Sequence, residues 1–145
     1  MKKHGFFILL MVTLFLLGMT CLALGQEKAK PETSAKPEGA LQIIRAVVAT
    51  GVENREPVGV GETFPASTEK VYLFLEAAHI AKDMDVSIYW FHGKNEMLKI
   101  TLPLKQGPKW RTNAVKSLRG LKGDWKIEVR DGEGGLLKEV KFKVE

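Results

Sequence analysis

Pro108 to Val129 reads PKWRTNAVKSLRGLKGDWKIEV, and its two tryptophans govern how the rest of the chain is read. From Asp124 to Arg130, the apolar residues Trp125, Ile127 and Val129 alternate with Asp124, Lys126, Glu128 and Arg130. One face is therefore apolar and the other charged, the period-2 pattern of a strand with one face in a core. Trp125 is expected as a core anchor. Before it, Lys109-Trp110-Arg111-Thr112 forms another short β-type run beside a proline turn, and a Gly-rich basic turn separates the two. Trp110 is expected to be more exposed than Trp125, because Lys109 and Arg111 flank it.

Working outward, the same period recurs. Leu41 to Thr50, LQIIRAVVAT, is a β run ended by Gly51 and the turn-like Glu53-Asn54-Arg55-Glu56-Pro57. Val58-Gly59-Val60-Gly61-Glu62 is read as a loop; its two glycines lack the strand-to-helix context of a phosphate cradle. Lys70 to Ala77 has Val71, Leu73 and Leu75 on one face and Tyr72 and Phe74 on the other, with Glu76 as its first polar interruption. His79 to Asp83 is read as a loop with slight helical character. Met84 to Phe91 places Val86, Ile88 and Trp90 together, which makes Trp90 a second core anchor, and Gly93-Lys94-Asn95 supplies a hairpin turn. Leu98, Ile100, Leu102 and Leu104 share a face of the next run; Asp131 to Gly135 is a strong turn, and Leu136 to Val144 alternates again. About seven short alternating strands in about 100 residues predict an all-β fold, an immunoglobulin-like antiparallel sandwich. The cysteine pair of antibody domains is absent, and Trp90 and Trp125 are expected to fill that volume.

The N-terminus carries an address. Lys2 and Lys3 precede the apolar run Phe6 to Leu17, and Ala23-Leu24-Gly25 has the small residues of a cleavage site before Gln26. Residues 1–25 are expected to be a bacterial signal peptide, placing the domain in the periplasm or outside the cell. Two alternatives stay open: retention of Phe6 to Leu24 as a membrane anchor, and lipidation at Cys21, the single cysteine. In both, membrane association runs only through the N-terminal segment. Residues 26–40, rich in Lys, Glu, Pro and Ala, are expected to be a flexible linker, and residues 41–145 the sandwich domain.

The formal charge is +5, but setting Lys2 and Lys3 aside leaves 20 basic against 17 acidic residues. Lys and Arg alternate with Glu and Asp along the strands rather than clustering with groove-reading elements, which argues against nucleic acid as a partner. The one concentrated basic stretch holds Lys109, Arg111, Lys116, Arg119 and Lys122, and Trp110 with the last four of these forms the candidate interaction patch for an envelope protein or polymer. Against it stands a structural role for Arg111, pairing with Glu56 or Glu128 and covering Trp110 with its stem, which is the favoured reading.

With these residues in hand, the chain resembles the bacterial family called domain of unknown function 2914, over Arg45 to Val144. The likeness rests on Arg45-Ala46, Asn54-Arg55-Glu56-Pro57-Val58, Val71-Tyr72-Leu73-Phe74, Trp90 followed by Gly93, Lys109-Trp110-Arg111-Thr112 with Lys116, and Gly123-Asp124-Trp125-Lys126-Ile127 leading to Gly134. Two positions depart from the family pattern: Ile88 stands where a histidine is frequent, and Ala114-Val115 where a small serine-like pair precedes the lysine. The resemblance implies an envelope-associated or secreted all-β module and supplies no activity.

No catalytic constellation emerges. His79 and His92 are read as lying in separate loops without metal-site spacing, and Asp83 and Asp85 lack the glycine-centred ligand loop of a calcium site. Ser67, Ser87 and Ser117 have no nucleophile elbow. The expectation is a non-catalytic module with no metal and no cofactor, serving binding or protein interaction. A purely structural envelope domain and, less favoured, a small hydrolase are the alternatives.

Overall fold

The computed structural model describes residues 40–145, so the expected signal peptide and nearly all of the expected linker lie outside the described residues. Nine strands follow in order: β1 Gln42–Glu53, β2 Glu56–Val60, β3 Thr63–Phe64, β4 Lys70–Ile80, β5 Met84–His92, β6 Asn95–Leu104, β7 Gly107–Ser117, β8 Gly123–Arg130 and β9 Leu136–Val144. They make two sheets, β2-β1-β4-β7 and β3-β9-β8-β5-β6. Every pairing is antiparallel except β3 with β9. Because β4 to β5, β6 to β7 and β7 to β8 each cross between sheets, the strands wind as in an immunoglobulin-like sandwich.

The core lies where the alternating faces meet. Val71, Leu73, Leu75 and Ala77 of β4 face Val86, Ile88 and Trp90 of β5, Trp125, Ile127 and Val129 of β8, and Phe142 and Val144 of β9. Trp90 and Trp125 are 0 % and 1 % exposed, as their period-2 neighbours demand. Phe142 ties them together: its ring stacks on Trp125 at 5.8 Å, and meets Trp90 edge-to-face at 6.3 Å and Phe64 at 5.9 Å. Three aromatic neighbours around one ring give this layer much of its buried apolar surface. Trp125 also donates its Nε1 hydrogen to the Leu121 carbonyl at 3.2 Å, whereas buried Trp90 Nε1 has no partner among the described residues. Trp110 is only half-buried, packed against the rim of the core.

Several boundaries differ from the sequence reading, each for a physical reason. The stretch 58–62 is not wholly a loop: Val58 and Val60 pair with Gly51 and Ala49, making β2, and Gly51 continues β1 instead of ending it. Gly59 sits at φ 67 with Thr50 so close that a Cβ would fall 2.1 Å from its Oγ1, so glycine is required there. Nor is 79–83 all loop, since β4 runs on to Ile80 with His79 in the left-handed region at φ 56. His92, read as lying in a loop, closes β5, and the four-residue run at Trp110 extends to eleven residues in β7.

Candidate functional site

The outward face of the first sheet is built by register. Glu76 of β4 lies between Arg45 of β1 and Arg111 of β7, and Phe74, two residues earlier on β4, lies between Val47 and Asn113. Neighbouring strands are about 4.8 Å apart, so directly opposed side chains on one face are within reach of each other. The β1–β2 hairpin brings a second carboxylate to the same place. Its Glu56 meets Arg45 Nη1 through Oε2 at 3.0 Å and Arg111 through Oε1. Arg111 Nε donates to Glu76 Oε2 at 2.7 Å, and Lys109 Nζ lies 2.8 Å from Glu76 Oε1. Arg45, Glu56, Arg111, Glu76 and Lys109 thus form one continuous charged chain. The guanidinium of Arg45 stands 5.4 Å from the centroid of Phe74, which is buried although it points away from the core.

Burial makes this chain costly to break. The Glu76 side chain is 8 % exposed, and a carboxylate so placed is stable only when its oxygens are paired. The hydrogen bond from Lys109 holds its carboxyl below the usual range; burial opposes this, and Arg111 adds to the lowering. Beside the chain lies a pocket of about 170 Å³ lined by Val52, Arg55, Phe74, Arg111, Thr112 and Asn113. Arg55 makes no ion pair among the described residues, and its backbone at φ 63 follows Asn54 at φ 49 in the hairpin turn. Two consecutive left-handed residues are what a two-residue hairpin of this twist demands, yet arginine is not the residue that most easily supplies them.

The five sequence-chosen residues separate into two places. Trp110 and Arg111 are adjacent and therefore point to opposite faces of β7, Trp110 toward the core and Arg111 outward. Lys116 lies roughly 20 Å further along the strand by the usual rise per residue. It spreads over Trp125, 5.7 Å from the ring, and burial, then Arg119, lowers its pKa. Arg119, at φ 52, and Lys122 are exposed in the β7–β8 turn. The Lys122 carbonyl lies 2.8 Å from His92 Nε2, which ties this turn to the β5–β6 hairpin. Of the two partners expected for Arg111, Glu56 is one; Glu128 is not, because it belongs to the other sheet. Lys109 belongs to the basic stretch but not to the patch, and Arg45, Arg55 and Glu76 are absent from both. Two signals pointed to them: Glu76 interrupts an apolar run, and Arg45 and Arg55 stand in the quoted motifs.

A second charged ladder covers the outward face of the other sheet. Glu128, 8 % exposed in its side chain, pairs with Lys126 at 2.6 Å and with Arg130. Lys126 lies 4.6 Å from the Phe91 ring, and Lys99 and Arg130 lie 5.1 Å and 5.5 Å from that of Tyr89. These aromatic faces are occupied by the protein's own cations. Among the described residues no three His, Cys, Asp or Glu side chains gather as metal ligands. Asp83 instead accepts from the Gln106 amide at 2.8 Å and from Lys105 Nζ at 2.9 Å, fastening two inter-sheet connections.

Comparison with known structures follows the architecture. An immunoglobulin-like protein from Pseudomonas aeruginosa aligns at 17 % identity over 76 % of this chain and 100 % of its own, with a TM-score of 0.49. A β-glucosidase from Erythrobacter marinus aligns at 6 % identity over 73 % of this chain, with a TM-score of 0.51. One from Bifidobacterium adolescentis aligns at 12 % identity over 72 %, with a TM-score of 0.47. The chain spans only 15 % and 17 % of these two glucosidases, and at 6 % identity the likeness to the Erythrobacter marinus enzyme is one of fold alone. No curated protein matches the chain. The family match begins at residue 83, leaving Arg45, the Asn54 to Val58 motif and Val71 to Phe74 outside it. Residues 83–144, spanning β5 to β9, match the family described as "Protein of unknown function (DUF2914)", the family that the ordered motifs resemble.

Proposed function

We propose that the domain is a non-catalytic binding module of the bacterial envelope, and that it recognises an anionic group, a carboxylate or a phosphate, on an envelope protein or polymer. The observation that carries this reading is the Arg55–Arg111 pocket. Two cations, Arg55 and Arg111, line it; Arg111 is also tied to Glu56 and Glu76, which pair in turn with Arg45 and Lys109. Arg55 brings an unpaired planar fork suited to carboxylate or phosphate, and the Asn113 amide adds neutral donors. The signal-type N-terminus supports an envelope location. The names of the β-glucosidases describe those proteins, of which this chain spans a small fraction.

One observation favours the purely structural alternative: Arg111 already serves two carboxylates. Side-chain NMR during titration with inorganic phosphate, polygalacturonate and neutral dextran separates the two readings. Binding predicts movement of the Arg55 Nε and Asn113 amide signals with both anionic probes but not with dextran, and at least a tenfold weakening in Arg55→Glu at unchanged melting temperature. Equal response to neutral and anionic probes, or an unaffected Arg55→Glu, leaves the structural reading standing.

A further inference from the structure

On the side of the sandwich where β1 and β9 run close together, both sheets end in edges that are only partly paired among the described residues. On β9, β3 covers Lys143 and Val144 alone, through the pairs Thr63 with Lys143 and Phe64 with Val144. Lys143 donates its amide to the Glu62 carbonyl at 2.8 Å, so its N–H points away from β8. Strand alternation then turns the backbone N–H and C=O of Lys141 and Glu139 to that same open side. On β1, β2 pairs only from Ala49 onward, and the Val48 carbonyl accepts from the Gly61 amide at 3.1 Å. By the same alternation Ala46 presents its N–H and C=O toward the gap. A groove of about 480 Å³ fills that gap, and its lining includes Ala46, Val48 and Val140 on the apolar side and Glu62, Glu139 and Lys141 at the rim.

We propose that this groove receives an extended segment of a partner protein, which adds a strand along the open edge of β9 in continuation of β3. The chemistry is backbone pairing with Glu139 and Lys141, with alternate apolar side chains entering between Ala46, Val48 and Val140. Leu136 to Phe142, the part of β9 not covered by β3, is roughly 23 Å of strand, enough for a recognition segment of about seven residues. An edge of this kind is a template for pairing unless something blocks it. On the outward side Lys141 and Lys143 already pair with Glu139 and Glu145, at 3.2 Å and 3.1 Å, which favours a mixed polar outward side on the added strand; Lys138, near the start of β9, makes no ion pair among the described residues and favours an acidic residue opposite it. The chain's own residues 26–39 contain no large apolar side chain to fill the groove, which points to a foreign segment. This surface is separate from the Arg55 pocket and does not depend on it.

The test uses the mature full chain and a ten-residue synthetic peptide alternating valine with glutamate and threonine, read by amide hydrogen exchange and NMR. Protection of the Glu139 and Lys141 amides is expected to rise at least tenfold with the peptide. It should not rise with the same peptide N-methylated at alternate positions, which keeps charge and apolarity but removes the pairing donors. Lys141→Pro deletes one outward N–H without touching the β8 pairing and should weaken binding at least tenfold at unchanged melting temperature. Should that variant unfold, the N-methylated peptide still decides. Three results would overturn the proposal: no added protection at millimolar peptide, equal protection by the N-methylated peptide, or Glu139 and Lys141 already protected before peptide is added. The last would assign the groove to the chain's own N-terminal residues or, if sedimentation shows a dimer, to a second copy.

Discussion

Trp125 concentrates more interactions than any other side chain in the core. It stacks on Phe142, donates to the Leu121 carbonyl, lies 4.8 Å from the His92 ring and is roofed by Lys116. Trp125→Ala is therefore expected to cost about 3–5 kcal/mol in chemical denaturation, the range for emptying a close-packed aromatic site. Trp125→Phe keeps the stacking but strands the Leu121 carbonyl and should cost less, about 1–2 kcal/mol; equal losses in the two variants would remove packing as the main term. Arg111 is the corresponding residue at the surface. Arg111→Ala leaves Glu76 with Lys109 as its remaining partner, and the side chain lost is one-third exposed, so the cost should be lower than for a fully buried pair. A loss of about 1–2 kcal/mol is expected. Arg111→Lys should recover only part of it, because a single ammonium nitrogen does not span the two places where Arg111 Nε meets Glu76 and Nη1 meets Glu56. Unchanged stability in Arg111→Ala would mean that the charged chain contributes nothing to the fold.

At the scale of elements, what was legible in the sequence is what period 2 encodes. The longer strands announce themselves because a strand with one wet face must alternate, and β4 because its burial on both faces leaves one polar break at Glu76. β2 and β3 were not legible. Glycines at 59 and 61 interrupt the pattern of the first, and the second is two residues long, formed by a parallel pairing with residues about 80 positions away. The site was half legible for the same reason: Arg111 stands out in a basic stretch, but Glu76 and Glu56 reach it only through sheet register, 35 and 55 positions distant. The β1–β2 hairpin offers its own test. Arg55 occupies a left-handed position that glycine adopts without steric cost, although glycine also gains more freedom in the unfolded chain. Arg55→Gly should leave stability unchanged or raise it by up to about 1 kcal/mol while abolishing binding of anionic probes. A clear destabilisation would show that the Arg55 side chain is part of the hairpin's support.

Across the whole molecule, one buried carboxylate sits on the outward face of each sheet, Glu76 on the first and Glu128 on the second, and each is clamped by two cations. Both titrate below their ordinary value of 4.5, chiefly through the hydrogen bonds from Lys109 to Glu76 and from Lys126 to Glu128, with burial opposing. A carboxyl whose pKa is lower in the folded than in the unfolded chain contributes stability that is complete above the unfolded value. That contribution fades as pH falls through the folded value, because the unfolded chain takes up its proton first. The melting temperature is thus expected to be nearly flat from neutrality down to about pH 5.5 and to fall below that. Acid also raises the net positive charge, which destabilises any compact basic protein, so the wild-type slope alone does not identify its source. The Glu76→Gln/Glu128→Gln double variant isolates it. Glutamine keeps the shape and loses the titration, so the variant should be less stable than wild type at pH 7, with the gap narrowing as pH falls below 4.5. If the two curves instead stay parallel from pH 7 to pH 3, the buried carboxylates do not set the acid limit, and general charge repulsion does.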